Sequence, residues 1–309
     1  TANIISPINT GPISTSRTFS TRSEIITKGS GVMEKLKEFL NSSPDIQLRA
    51  FSSVFIVLAI MGGVILGGFV WDVIASAAAL FSLWEFYKLQ SPRVHSSPLL
   101  VMGAAVFILF GTSLGLMDLT AILCSISAVA FIALFLEVMR RQVSGESDAL
   151  ASVGATVGGI VYIVLPWTFM MLIRMREHGA MFLLTLFFCT WCCDVAAYFT
   201  GSHFGRTPLC SQVSPHKTWE GFAGGAAASL MCGGLLALIF SFPPLPLLLL
   251  GLLCGIAGQL GDLGESVLKR EAGVKDTGNI IPGHGGMLDR FDSILVNGTL
   301  AFVIFELVG

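Results

Sequence analysis

Two aspartates three residues apart, Asp289 and Asp292 in D-R-F-D, follow the stretch Pro282-Gly283-His284-Gly285-Gly286. Residues at i and i+3 share one face of a helix. Two carboxylates on one face suit Mg²⁺, a hard cation that takes few protein oxygens and leaves positions for phosphate. Alone, the pair reads just as well as a solvated helix start with acids at the positive dipole end. The glycines change its setting, because backbone amides without a neighbouring Cβ can approach an anion closely. His284 is there a candidate for phosphate contact or proton transfer. Upstream, Gly261-Asp262-Leu263-Gly264-Glu265-Ser266 and Lys269-Arg270 place Asp262, Glu265, Ser266 and Lys269 on one helical face. Asp262 is a third candidate metal ligand. Lys269, Arg270 and Lys275 suit a triphosphate or a lipid phosphate, with anionic-lipid contact as the plainer role. Glu265 and Lys269 read equally as a surface i,i+4 ion pair.

A second polar stretch is Ser214-Pro215-His216-Lys217-Thr218-Trp219-Glu220-Gly221. Ser followed by Pro predicts a helix start, with Ser214 as N-cap and Pro215 in the first position. A helix amino terminus binds phosphate through free amides, and Lys217 adds charge. Asp194 lies in an otherwise apolar run. An unpaired carboxylate is expensive there, so it must face a polar cavity or a partner, with Tyr198 one turn on. Six acids fall within 262–292, out of 20 in the chain. Such clustering beside apolar segments marks a functional site.

The elements that position these residues must be membrane spans. The chain has 309 residues, 53% hydrophobic and 12% charged, against about 25% charged in a soluble domain. That excludes a soluble enzyme and a disordered chain, and a net charge of −2 excludes a nucleic-acid binder working through excess basic charge. The fold class is all-α, a polytopic integral membrane protein. Apolar runs of about 20 residues predict about nine spans, near 50–68, 70–88, 98–116, 118–138, 151–172, 180–200, 219–241, 244–262 and 294–309. The first boundary is weak, crowded by Gly62-Gly63 and Gly67-Gly68. Glycines at 154, 158, 159, 221, 224 and 225 predict close helix packing. Of 18 basic residues, all but Arg174 and Arg176 fall on the side of the amino terminus. The positive-inside rule puts that side, with the loops 201–218 and 263–293, in the cytoplasm or an organelle's equivalent compartment. Seven cysteines lie mostly in apolar runs. Cys189 and Cys192 form a C-x-x-C without a second pair, which reads as packing between helices. Residues 1–31 hold six Thr, six Ser, two Arg and one Lys against one Glu and no Asp, the composition of a transit peptide. Residues 32–43 suit a short amphipathic helix. The domains are therefore a 1–44 transit-like segment and a 45–309 transmembrane domain.

The stretch Ser266–Asp292, as S-x-x-K-R, K-D-x-G and P-G-H-G-G-x-x-D-R-x-D, resembles the signature of the phosphatidate cytidylyltransferases, bacterial and plastid type. D-x-x-A-Y-x-x-G-x-x-F-G-R from Asp194 and S-P-x-K-T-x-E-G from Ser214 are similar to the same family, and the resemblance covers roughly 45–309. It implies transfer of CMP from CTP to phosphatidic acid, giving CDP-diacylglycerol and pyrophosphate in phospholipid biosynthesis. It implies that Asp262, Asp289 and Asp292 hold Mg²⁺, with room for a second cation, and that Ser214, Lys217, Lys269 and Arg270 hold phosphates. Lys275, Asp276, His284 and Arg290 belong to the signature with less defined roles. The catalytic set is thus Asp262, Lys269, Arg270, Asp289 and Asp292, and the substrate set Ser214, Lys217, Lys275, His284 and Arg290. The implied partners are CTP, phosphatidic acid, the bilayer and a second copy in a homodimer, with no nucleic acid. A CDP-alcohol phosphatidyltransferase is disfavoured, since no D-G-x-x-A-R is present. A cation-coupled secondary transporter is disfavoured by charges gathered at one face and by the lack of a visible repeat. An inactive homologue is the remaining alternative. The transit-like segment and bacterial-type signature together point to a plastid inner envelope or thylakoid, with a bacterial-type plasma membrane as the alternative.

Overall fold

The computed structural model describes residues 44–90, 97–281 and 285–308. The transit-like segment, the expected 32–43 helix and His284 lie outside the described residues. The chain divides at Leu48/Arg49, and the packing below is that of the unit from Arg49 onward. In chain order the helices are α1 (Pro44–Leu66), α2 (Gly68–Gln90), α3 (Pro98–Ser113), α4 (Leu119–Ser144), α5 (Ala149–Gly159), α6 (Leu165–Arg174), α7 (Gly179–Phe204), α8 (Trp219–Ile239), α9 (Pro244–Ala272) and α10 (Leu288–Val308). A π turn, Ile160–Val164, joins α5 to α6, so Ala149–Arg174 runs as one span. Among the described residues, six segments are long and apolar enough to cross a membrane: α2, α4, α5–α6, α7, α8 and α9. Phe51–Leu66 and Pro98–Ser113 are shorter apolar helices. This is an all-α polytopic membrane protein, with one small addition. Between α7 and α8 lies an antiparallel hairpin, β1 (Pro208–Cys210) and β2 (Ser214–Thr218).

The break after α1 falls at the glycines. Gly67 and Gly68 both adopt positive φ, +66° and +51°, a region that costs other residues energy. Arg174, at the end of α6, donates from Nε to Val64 O at 2.6 Å and from Nη2 to Ile65 O at 3.2 Å. It thereby satisfies carbonyls that the end of α1 leaves open. The core is aromatic at its centre. Trp71 of α2 and Trp167 of α6 sit 6.3 Å apart, Phe187 of α7 meets Trp71 edge-on, and Phe291 of α10 meets Trp167 at 5.1 Å. These contacts join the helices that flank the site.

Small residues bring α7, α8 and α9 together. A Cβ on Gly225 would stand 2.9 Å from Cys193 Sγ, and one on Gly251 would stand 2.6 Å from Ser229 O. Lipid offers no hydrophobic drive between spans, so such close backbone approach is a main source of cohesion. The same expectation fails at Gly154 and Gly158, where a Cβ would meet nothing within 4 Å. All seven cysteines are free thiols.

Three boundaries that bear on the polar residues differ from expectation. α9 does not stop near 262 but continues to Ala272, so the residues taken as the start of a polar loop are helical. Gly264 stays helical within that stretch, and the helix ends only at Gly273, whose φ is +75°. α10 likewise begins at Leu288 rather than near 294. Ser214 is not an N-cap: Ser214–Thr218 is strand β2, and α8 starts at Trp219. The cap is Thr218, whose side chain accepts from Gly221 N at 3.2 Å. The Ser-Pro pair misleads because the chain stays extended until the hairpin closes.

Candidate functional site

The polar continuation of α9 builds the site from helical spacing. Ser266 Oγ donates to Asp262 Oδ1 at 3.4 Å, and Lys269 Nζ lies 2.9 Å from Glu265 Oε1. Both contacts run along the shared face expected from the sequence. The Glu265–Lys269 pair is not a surface pair, however. The Glu265 side chain is 0% exposed and that of Lys269 15%. Lys269 also donates to Asp289 Oδ1 on α10 at 2.9 Å, so one ammonium ties two buried carboxylates on two helices. The other oxygen of Asp289, Oδ2, accepts from Thr277 N, Thr277 Oγ1 and Gly286 N, each at 2.9 Å. Asp289 thus gathers the loop and both helices around itself.

A second cluster forms where the hairpin meets α9. Strand β2 delivers Lys217 Nζ to 2.7 Å from Asp262 Oδ2. The pair lies in a cavity of about 560 Å³ lined by Asp194, Tyr198, His216, Lys217, Gln259 and Asp262. Asp194 therefore has the polar cavity that its position in an apolar helix demands, and it feels the charges of Asp262 and Lys217. Two further contacts fix the hairpin. Arg270 Nε donates to Val213 O at 3.4 Å. Glu220 accepts from the amides of Arg206 and Thr207 at 3.2 Å and from Thr207 Oγ1 at 2.9 Å.

Asp292 lies one turn after Asp289, with Asp262, Asp194 and Lys269 as its charged neighbours. Its Oδ1 accepts from Ser293 N. Among the described residues, no group of three or more His, Cys, Asp or Glu side chains is arranged to hold a metal ion. Asp262 and Asp292 nevertheless act on each other as like charges. Hard oxygen donors in that relation suit a divalent cation completed by substrate phosphates. Asp289 differs in being closed: its side chain is 4% exposed against 36% for Asp262, and it accepts four contacts at 2.9 Å. Arg270, Lys275 and Arg290 are exposed near this end of the molecule. Ser214 is half-buried in the hairpin and outside the cavity lining.

Sequence reasoning missed three contributors. Glu85 of α2, 1% exposed, accepts from Leu288 N at 2.8 Å and lies 3.2 Å from Thr277 Oγ1. An acid inside an apolar run was the available signal. Thr277 stood in the K-D-x-G motif as its unspecified residue. Tyr162 lies in the π turn, a distortion that often accompanies function. It feels the charges of Glu265, Asp292 and Asp262, and its hydroxyl has no hydrogen-bond partner among the described residues.

Known proteins carry the same arrangement of sequence. The pattern of the cytidylyltransferase family matches residues 47–308. A phosphatidate cytidylyltransferase of Bacillus subtilis (strain 168) is 32% identical over 254 residues, covering 81% of this chain and 94% of that protein. Phosphatidate cytidylyltransferases of Staphylococcus aureus (strain COL) and Staphylococcus haemolyticus (strain JCSC1435) are each 32% identical over 252 residues, covering 81% of this chain and 95% of theirs. With the match running from the first membrane helix through the last, and enclosing both charged clusters, the chain belongs to the cytidylyltransferase family.

Proposed function

We propose that this protein transfers CMP from CTP to phosphatidic acid, giving CDP-diacylglycerol and pyrophosphate. The observation that carries this reading is the Lys217–Asp262 pair inside a cavity of about 560 Å³ between membrane helices. The cavity admits a charged head group, while Tyr198 and Trp219 beside it expose their aromatic rings. Such rings suit the membrane interface. The family relatives support the substrate pair by their names.

In the reaction, a phosphate oxygen of phosphatidic acid attacks the α-phosphorus of CTP in line. The new P–O bond forms as the bond to the α,β-bridging oxygen breaks, and pyrophosphate leaves with that electron pair. Nucleotidyl transfer needs positioning and charge neutralisation more than covalent help. Lys217 is placed to meet a phosphate in the cavity, and Arg270, Lys275 and Arg290 supply charge around it. Ser214 and His284 remain proposed substrate contacts from the family signature. Lys269 fixes the carboxylates behind the cavity. Asp262 and Asp292 are the residues that would hold Mg²⁺, with Asp289, expected beside them as a third ligand, tying α10 to α9 through Lys269. When bound, the ion would neutralise phosphate charge as it develops. The same reading places the polar loops on the cytoplasmic or stromal face, from the distribution of basic residues. It favours a plastid membrane, from the composition of residues 1–31. A homodimer is the assembly that the family resemblance suggests.

The test is formation of labelled lipid by purified protein in detergent micelles with phosphatidic acid, labelled CTP and Mg²⁺. CTP-dependent labelling that EDTA abolishes and ATP does not replace is the expected result. No labelled lipid from folded protein, across several lipid compositions, would overturn the reading and turn attention to flux assays in liposomes.

A further inference from the structure

α10 carries Asp289 and Asp292, yet it begins without a capping side chain of its own. Gly285, Gly286 and Met287 precede it, and none offers the side-chain oxygen that usually satisfies the first amides of a helix. The oxygen comes from elsewhere. Glu85 Oε2, on α2, accepts from Leu288 N at 2.8 Å across a separation of 203 residues. A carboxylate at a helix amino terminus also meets the positive end of the helix dipole. Thr277 Oγ1 stands 3.2 Å from Glu85 Oε2 and 2.9 Å from Asp289 Oδ2. A hydroxyl has one proton to donate, and the shorter contact assigns it to Asp289. The Leu288 amide is therefore the bond that defines Glu85. The glycines nearby leave the room it occupies. A Cβ on Gly286 would stand 2.6 Å from Glu85 Oε2, and one on Gly278 would overlap Glu85 Oε1.

The geometry points to Glu85 as a positioning residue of the transfer site, capping α10 from across the fold and setting the rotation at which that helix presents Asp289 and Asp292. This rests on the reading of the site given above. α2 supplies its own control. Asp72 is a second buried acid on the same helix, but it accepts from Ser113 Oγ at 2.7 Å and takes no part in the site.

The experiment compares Glu85→Ala, Glu85→Gln and Asp72→Ala in the purified full-length protein. It reads kcat and KM for CTP together with amide hydrogen exchange at Leu288–Asp292. Misplacement of reacting groups by about 1 Å costs about 100-fold in rate. Glu85→Ala is expected to lose kcat on that scale with little change in KM. Glu85→Gln keeps an oxygen for the Leu288 amide and is expected to recover most of the loss. Asp72→Ala is expected to keep kcat near that of the parent. Equal losses in both Glu85 variants, or an equal loss in Asp72→Ala, would overturn the proposal. Exchange at Leu288–Asp292 is expected to rise in Glu85→Ala, and unchanged exchange would also overturn it. If the parent protein makes no lipid product while exchange still rises, the functional reading falls and the cap stands. If Glu85→Ala does not fold, Gly278→Ala displaces Glu85 instead, since the three nearest atoms to a Cβ there all belong to Glu85. Low kcat with raised exchange is then expected, and parental values in both would overturn the cap.

Discussion

Lys217 and Lys269 carry the same charge to neighbouring carboxylates and do different work with it. Lys217 meets Asp262 where the side chains are partly open, 26% and 36% exposed, although the Lys217 ammonium nitrogen itself is shielded. Lys269 meets Glu265 and Asp289 where the acids are 0% and 4% exposed. An ion pair whose acid stays in reach of water contributes less to stability than a closed one. A closed one is costly to break from one side, because the partner is left charged and dry. The first arrangement suits a group that must let go of its partner to take a phosphate. The second suits a group that holds two helices at a fixed spacing. On the proposed reading, the acids of the signature divide between substrate and scaffold, although they lie within a short stretch of chain.

The largest effect should come from the closed cluster. Lys269→Ala leaves Glu265 and Asp289 without their cation, at a cost of about 3–5 kcal/mol. Melting in detergent should show a much lower midpoint, and activity should vanish. A variant that melted like the parent would end the contrast. Next comes Asp262→Asn, in the open pair. Turnover should fall about 100-fold, the scale of losing one preorganised charged group, while the melting midpoint moves by a few degrees at most. A large drop in midpoint would make Asp262 scaffold too. Glu265→Gln should destabilise by about 1–3 kcal/mol, the cost of unsettling a buried charged hydrogen bond, and so exceed Asp262→Asn in stability while harming turnover less. The smallest effect is expected at Arg176, whose pair with Glu306 at 2.9 Å is largely exposed. Arg176→Ala should change stability by less than about 1 kcal/mol and leave turnover intact, which measures how little an open pair contributes away from the cavity.

Much of this was legible before any coordinates. Apolar runs located the six described segments long and apolar enough to cross a membrane, short of the nine expected, and the spacing of Asp262, Glu265, Ser266 and Lys269 placed them on one face, as the contacts show. Asp194 required a polar surrounding and has one. What stayed hidden depended on distant parts of the chain. The extent of α9 was missed because hydropathy ends where polar residues begin, whereas helical hydrogen bonding ends where a breaker stands, at Gly273. Ser214 read as a cap because local preference favours it, but pairing with Cys210 holds it in a strand. The burial of Glu265 could not be read from an i,i+4 spacing, since the covering helix comes more than twenty residues later. Glu85 is the extreme case, because nothing near it in sequence announces the loop it meets.

The length of α9 has a consequence for where chemistry occurs. The helix runs unbroken from Pro244 to Ala272, so at 1.5 Å per residue Asp262 stands about 27 Å along the axis from Pro244. A bilayer's hydrocarbon layer is about 30 Å thick. With Pro244 at one edge of that layer, Asp262 comes within about 3 Å of the other edge, just beneath the lipid phosphates, and the last turns of the helix extend among them. A phospholipid need not rise from its leaflet to meet the carboxylate. Withdrawing acyl chains into water costs about 0.8 kcal/mol for every methylene exposed, and a rod of this length makes the withdrawal unnecessary. The water-soluble nucleotide does the travelling, and the lipid reacts where it is already dissolved.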